Sequence, residues 1–382
     1  MSIITILAIE SSCDETAISV VKSYENTPKI LSNIVSSQVK LHAKWGGVVP
    51  NLAAREHVKN FPKVLKMALE EARISPSQID AIAITNGPGL IPALMVGVNL
   101  SKTLSYLWEK PLIGIHHIEG HIYANFVADT KLRNKSESTN INFSDVPFRS
   151  GLSDTKFPAL VLIVSGGHTQ LVLMKNHLKY EIIGQTVDDA VGEAFDKVAR
   201  ILGVGYPGGP NVAAWAAKFQ NLNDKYQIKL PRPMINKPGF NFSFSGLKTA
   251  VLYEAKKNPT LLKDKKYIAE MCHEFQQACV DVLISKTLKA AEKYKPKTIM
   301  LAGGVSANKE LREQLGQAIE NYNLSNKSHL SYSIPDLSLT GDNAAMVGAA
   351  AAFRWQKMNE TQKKKALSAW KTLQPNANLK MK

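Results

Sequence analysis

Apolar residues fill Ile4–Ile9, yield to a small polar stretch at Glu10–Thr16, and return over Ala17–Val21. That pattern predicts two strands joined by a hairpin turn. The same grammar recurs where Ala159–Val164 and Gln170–Met174 flank Ser165-Gly166-Gly167-His168-Thr169, so the chain carries an architectural repeat. Between the copies, a strand at Ile79–Thr85 ends in Asn86-Gly87-Pro88-Gly89, a helical pattern runs from Ile91 to Tyr106, and a strand follows at Leu112–Ile115. Alternation of this kind predicts α/β architecture. Residues 128–156 break the pattern with Asn, Ser, Lys and Thr, and read as a flexible insertion at a lobe boundary. A strand at Thr298–Ala302 then leads into Gly303-Gly304, and an Ala-rich helix follows Asp342. The organisation expected is a first lobe at 1–127 completed by a helix near 335–357, the insertion 128–156, a second lobe at 157–334, and a basic amphipathic tail at 358–382.

A length of 382 residues, 45% of them hydrophobic, suits two globular domains. No stretch approaches the roughly 20 apolar residues of a membrane span, and no export signal precedes the first strand, so a cytoplasmic location without membrane attachment is expected. Cys13, Cys272 and Cys279 form no CxxC pair, which fits a reducing compartment. Lys plus Arg outnumber Asp plus Glu by 47 to 32, a net charge of +15 that attracts a polyanion such as nucleic acid. Lysine-rich solvated surface, as at Lys263–Lys266 and Lys363–Lys365, accounts for the same charge without any partner.

Hydroxyls, glycines and bare backbone N–H groups at hairpin tips make nests that wrap phosphate, because no side chain blocks the approach. Two such tips facing each other would form a clamp. In His116-His117-Ile118-Glu119-Gly120-His121, which follows a strand where a helix would begin, His117 and His121 are four apart and share a helical face. That spacing lets two imidazoles share a metal, and the carboxyl end of a strand is where open α/β sheets bind ligands. A surface coincidence is the competing reading, and the pair needs a third ligand. Asp342, before the Ala-rich helix, reads either as that ligand or as a helix cap. In Asp188–Leu202 the residues Val191, Phe195, Val198 and Leu202 form one stripe, with Asp189, Glu193 and Asp196 opposite. An acid there either stays wet or accepts ribose hydroxyls. The turns Gly205–Pro210 and Gly303–Asn308 add room for a flat base and an amide beside it.

Taken together, Glu10–Thr16, Gly46–Pro50, Gly87–Leu90, His116–His121, Ser165–Thr169, Gly192–Lys197, Gly205–Pro210, Phe242–Thr249, Gly303–Asn308 and Asp342–Met346 resemble the TsaD family. These are tRNA adenosine threonylcarbamoyltransferases, once labelled glycoproteases. The resemblance covers nearly the whole chain apart from 128–156 and the tail. It implies two RNase H-like lobes of the actin-like ATPase and sugar-kinase superfamily, with a nucleotide in the cleft. Gly46–Pro50 is similar to the bacterial and mitochondrial branch. By the same resemblance His117, His121 and Asp342 bind one divalent metal, Fe(2+) or alternatively Zn(2+). Ile163, Val164, Ser165, Gly166 and Gly167, with Asp196, Gly209 and Asn308, hold threonylcarbamoyl-AMP, or ATP or AMP in its place. Two positions depart from the family pattern: Ala213 where many relatives carry an acid near the ribose, and Asn51 in place of the commoner Glu.

The implied reaction moves the threonylcarbamoyl group to N6 of adenosine 37 in tRNAs reading codons that start with adenosine, releasing AMP. A metal would act as Lewis acid, the turn amides of Ser165–Gly167 would hold the leaving phosphate, and Asp14 or Glu15 would orient the amine or accept its proton. The implied partners are tRNA, a paralogous TsaB-type subunit and a TsaE-type small ATPase, with a self-sufficient homodimer as the mitochondrial alternative. Rival readings are an actin-like ATPase or sugar kinase, against which the histidine pair argues, and a non-catalytic scaffold of a tRNA-modifying complex. A metalloprotease lacks its HExxH sequence here.

Overall fold

Strands β1 (Ile3–Glu10), β2 (Glu15–Tyr24) and β3 (Thr27–Ser37) form an antiparallel meander, to which β4 (Ala81–Gly87) and β5 (Leu112–His116) add in parallel. The sheet order is β3-β2-β1-β4-β5. In the second half, β6 (Ala159–Val164), β7 (Thr169–Asn176), β8 (Lys179–Gln185), β9 (Thr298–Ala302) and β10 (Ser331–Ser333) repeat the plan as β10-β9-β6-β7-β8, with the same pairing senses. The computed structural model describes residues 3–24, 27–127, 155–219 and 226–381. Of the insertion expected at 128–156, all but Thr155 and Lys156 lies outside the described residues.

The continuous apolar runs of β1 and β6 are those of strands buried on both faces. In β6, Leu160, Leu162 and Val164 face an outer core with the helices Val191–Leu202 and Lys265–Tyr294, while Ala159, Val161 and Ile163 face an inner one. In β1, Leu7 and Ile9 face Phe61, Val64 and Val98 on the outside, while Ile4, Ile6 and Ala8 face inward. The inner core takes side chains from both sheets and from the helices His117–Tyr123 and Ala344–Lys357. Small side chains on the latter allow close approach, and a Cβ on Gly348 would come within 2.6 Å of Val21. Across the lobes, Asn125 donates to Leu301 O at 3.0 Å and accepts from Ser333 Oγ at 3.1 Å.

Each hairpin continues into a third strand, β3 and β8, that the periodicity did not predict. β3 is an edge strand in which Lys29, Ser32, Asn33 and Ser36 interrupt the apolar residues, so its alternation is weak. Residues 358–381, expected as a basic tail, pack back onto the first lobe. The helix Glu360–Leu367 is followed by Trp370, whose ring packs tilted against Tyr106 at 4.8 Å between centroids, and by Leu373 against the outer core. Among the described residues, no helix is long and apolar enough to cross a membrane.

Candidate metal centre and nucleotide cleft

β5 ends at His116, which caps the short helix His117–Tyr123 by accepting from Ile118 N on its Nδ1 at 3.2 Å. The helix brings the rings of His117 and His121 to a centroid separation of 4.7 Å. Asp342 reaches them from the other end of the chain, its Oδ1 lying 3.5 Å from His117 Nε2 and 3.2 Å from His121 Nε2. The cap of the Ala-rich helix is the neighbouring Asn343, whose Oδ1 accepts from Met346 N at 3.1 Å. Asp342 is therefore not needed as a cap and points into the site. One ligand atom from each of the three residues lies within 4.8 Å of the others. His121 is 1% exposed, yet neither of its ring nitrogens makes a hydrogen bond. A buried imidazole in that condition costs free energy unless something else occupies its lone pair, so the donor set fits a divalent metal ion.

Sequence reasoning missed the residue behind this set. Glu10, the last residue of β1, is fully buried and lies 3.3 Å through Oε2 from His117 Nδ1. Its Oε2 also accepts from Thr85 Oγ1 and its Oε1 from Ser12 N, each at 2.6 Å, while Ser12 Oγ lies 3.1 Å from His117 Nδ1. A carboxylate so fixed draws the proton of His117 to Nδ1 and leaves Nε2 facing Asp342 and His121, the usual outer support of a metal-bound histidine. Burial pulls His117 toward neutrality, but the Asp342 and Glu10 carboxylates outweigh it and hold the imidazole up at about 9. For Asp342 burial works upward, and the charges of His117 and His121 overcome it and bring the carboxyl down to about 2.

The second lobe meets this cluster with the turn Ser165–His168. Ser165 is nearly buried and closes the turn, its N–H donating to His168 O at 2.8 Å and its Oγ accepting from His168 N at 3.0 Å. Gly166 and Gly167 have nothing within 4 Å of where a Cβ would stand, so a phosphate can reach the bare backbone. Gly192 packs beneath, where a Cβ would be 2.7 Å from Ser165 O. Ile163 and Val164 lie in β6 as buried core residues, and bring only backbone to the cleft edge. The helix Val191–Leu202 buries Val191, Phe195, Val198 and Leu202 as the stripe predicts, but its acids are engaged. Asp189 pairs with Lys197 at 2.8 Å and Lys248 at 3.2 Å, and Glu193 pairs with Lys197 at 2.8 Å. Asp196 accepts from Gly208 N at 2.7 Å through one oxygen, leaving the other open, and burial followed by Glu193 and Asp14 raises its pKa. Gly209 has an open face beside it, whereas Ala213 carries no polar group on the same helix, Gly208–Ala216. Asn308 is occupied within the fold, its Oδ1 accepting from Leu311 N at 3.0 Å and its Nδ2 donating to Gln276 at 2.8 Å.

Asp14 and Glu15 face this wall from the first lobe. Asp14 is 6% exposed and its Oδ2 has no hydrogen-bond partner. Glu15 accepts from Ser37 Oγ at 3.0 Å, and burial, then the carboxylates of Asp342 and Asp14, push its pKa up to about 9. Both carboxylates act across the cleft on Tyr206, whose hydroxyl is driven upward by burial and by Asp14 and Asp196. Cys13 is free, and burial with Asp14 pushes its thiol well up, so no thiolate nucleophile stands at the tip.

A duplicated sheet, an open glycine turn and a His/His/Asp cluster at the lobe junction define a two-lobed α/β protein with a candidate divalent-metal site. The chain belongs to the TsaD family of tRNA N6-adenosine threonylcarbamoyltransferases, whose family model matches residues 29–135 and 145–349. It is similar to the transferases of that name from Syntrophomonas wolfei (45% identical over 350 residues, 92% of each chain) and Thermosipho africanus (44% over 376 residues, 98% of this chain and 99% of that one). The Bacillus subtilis transferase is 43% identical over 352 residues, covering 92% of this chain and 91% of its own. Among solved structures, HypF of T. kodakarensis shares the fold at 10% identity, with a TM-score of 0.54, covering 92% of this chain and 48% of that chain.

Proposed function

We propose that this chain transfers the threonylcarbamoyl group of threonylcarbamoyl-AMP to N6 of adenosine 37, immediately 3′ of the anticodon, in tRNAs reading codons that start with adenosine, and releases AMP. The observation that carries this reading is the closeness of the His117/His121/Asp342 cluster to the phosphate turn. His168, in that turn, is pushed down to about 4 by burial and then by the charges of His117, His116 and His121. A nucleotide cradled by the turn would have its acyl phosphate beside the metal ligands.

Two imidazoles and one carboxylate suit Fe(2+), our choice, or Zn(2+), and an ion bound there would supply Lewis-acid polarisation of the carbamoyl carbonyl. The amides of Gly166 and Gly167 hold the leaving phosphate, the Ser165 N–H being already engaged by His168 O, while Asp196 gives its open oxygen to ribose hydroxyls and Gly209 leaves room for the sugar. Asn308, tied to Gln276, bounds the base pocket as part of the wall. Asp14, with an unpartnered oxygen, accepts the proton of the attacking amine. Glu15, held protonated at neutral pH, orients rather than accepts. Glu10 holds the proton on His117 Nδ1.

The net charge of +15 supports tRNA as the partner, and the reading places the protein in the cytoplasm. A TsaB-type subunit and a TsaE-type ATPase are the proposed helpers, with a homodimer as the alternative. The test mixes purified protein, tRNA, threonylcarbamoyl-AMP and metal, with and without helpers, and detects the modified nucleoside by mass spectrometry. Rapid ADP release from ATP without tRNA, and no modified nucleoside under any condition, would replace the transferase with a kinase.

A further inference from the structure

The family model ends at residue 349, and none of the motifs above lies beyond it. The chain beyond the helix Glu360–Leu367 nonetheless runs as a strap over the carboxyl ends of β4 and β5, the edge where open α/β sheets bind ligands. It is tightly seated. Asn376 N donates to Asn86 O at 2.8 Å, and His116 Nε2 donates to Leu379 O at 2.9 Å. Two glycines form the seat: a Cβ on Gly87 would lie 2.0 Å from Asn376 O, and one on Gly114 would lie 2.9 Å from Leu373.

The strap's tip, residues 377–381, lines a half-open cavity of about 610 Å³ together with His116 and Ile118 of the first lobe and His168 and Asn241 of the second. His116 and Ile118 are the chain neighbours of His117, and His168 belongs to the phosphate turn, so the cavity adjoins the candidate site, although His117, His121 and Asp342 do not themselves line it. Among the described residues its lining contains no carboxylate and a single ammonium, Lys380, on the strap itself. A chamber with amide donors and one cation suits a substrate group bearing anionic oxygens.

We infer that the C-terminal strap is the outer wall of a substrate subsite beside the phosphate turn and the candidate metal site, and that Lys380 is a positioning residue for an anionic group there, either an RNA phosphate or the carboxylate of the threonyl group. The inference rests on the transferase reading above. The experiment measures transfer by the full chain, by Lys380→Ala and Lys380→Arg, and by a chain ending at Leu373, with AMP binding by calorimetry as the control for folding. Lys380→Ala raises KM about tenfold for one substrate, with kcat and AMP affinity unchanged, and Lys380→Arg restores most of it. The truncated chain shows the same change, larger. A rise confined to tRNA, with the salt slope reduced by about one, assigns the phosphate. A rise confined to threonylcarbamoyl-AMP assigns the carboxylate. An active wild type alongside a Lys380→Ala variant with both KM values unchanged overturns the inference and leaves the transferase standing. A wild type that forms no modified nucleoside overturns both.

Discussion

The two lobes share one strand plan and place opposite materials at equivalent points. At the β1–β2 tip, Ser11, Ser12 and Asp14 are packed into a turn with 6% exposure or less, among carboxylates. At the β6–β7 tip, Gly166 and Gly167 stand open with no neighbour near a would-be Cβ. After β5 comes a helix carrying two ligands, whereas after the three-residue β10 comes only a short turn leading toward Asp342. The chemistry of each half explains the division. Ligation needs side chains fixed by burial and outer hydrogen bonds, while a phosphate needs backbone that nothing covers. Under the proposed function, one duplicated frame thus keeps the candidate metal ligands in one half and the nucleotide cradle in the other.

If that division holds, the halves fail separately. His117→Ala should remove the metal and lower transfer by about 10³-fold or more, while AMP affinity stays within about twofold, read by metal analysis and calorimetry. Loss of AMP binding in the same variant would break the comparison. Glu10→Gln keeps the volume and removes the charge behind His117, so metal affinity should fall about 10–100-fold with the nucleotide side untouched. Gly167→Val is the mirror experiment. Space for the side chain exists in the free protein, so metal content and melting temperature should hold, while AMP affinity falls about tenfold, or 1.4 kcal/mol.

How much of this was legible in the sequence follows the distance over which each feature is encoded. The hairpin repeat and the His117/His121 spacing are local patterns, and both stand in the structure. Asp342 carried two local readings, and they separate only because Asn343 takes the cap one residue later. Glu10 gave a weak signal, an acid closing an apolar strand. Its partner His117 lies 107 residues away and becomes a neighbour only through the parallel order β1-β4-β5, which sets the strand ends side by side. Asp189 and Asp196 read as either wet or ribose-accepting because their partners Lys248 and Gly208 come from elsewhere in the chain. The tail read as an appendage because its seat is made by Gly87 and Gly114, whose lack of side chains announces nothing about what lies on them.

The smallest expected effect sharpens the comparison through pH. His117 is held at about 9 against a usual 6.5, because Asp342 and Glu10 overcome burial. A histidine whose folded pKa is raised gives stability that is complete below its unfolded value and is lost as pH rises through the folded one. The chelated protein should therefore lose thermal stability between about pH 6.5 and 9, by roughly 1–2 °C for each kcal/mol lost. Metal loading deprotonates the ligand nitrogens, so it should abolish this alkaline slope and release about one proton at pH 7, measurable by calorimetry in buffers of different ionisation enthalpy. His168 in the second lobe has the opposite sign, since burial first and His117 second push it down to about 4. Its contribution is complete above about pH 6.5 and is lost as pH falls toward 4. In chelated protein His117→Ala should flatten the alkaline limb, while His168→Ala should make the acidic one shallower, the remainder coming from His116 and His177, which burial also holds at about 4. A single replacement flattening both limbs would mean that the two tips titrate as one site and that the division between the lobes stops short of their electrostatics.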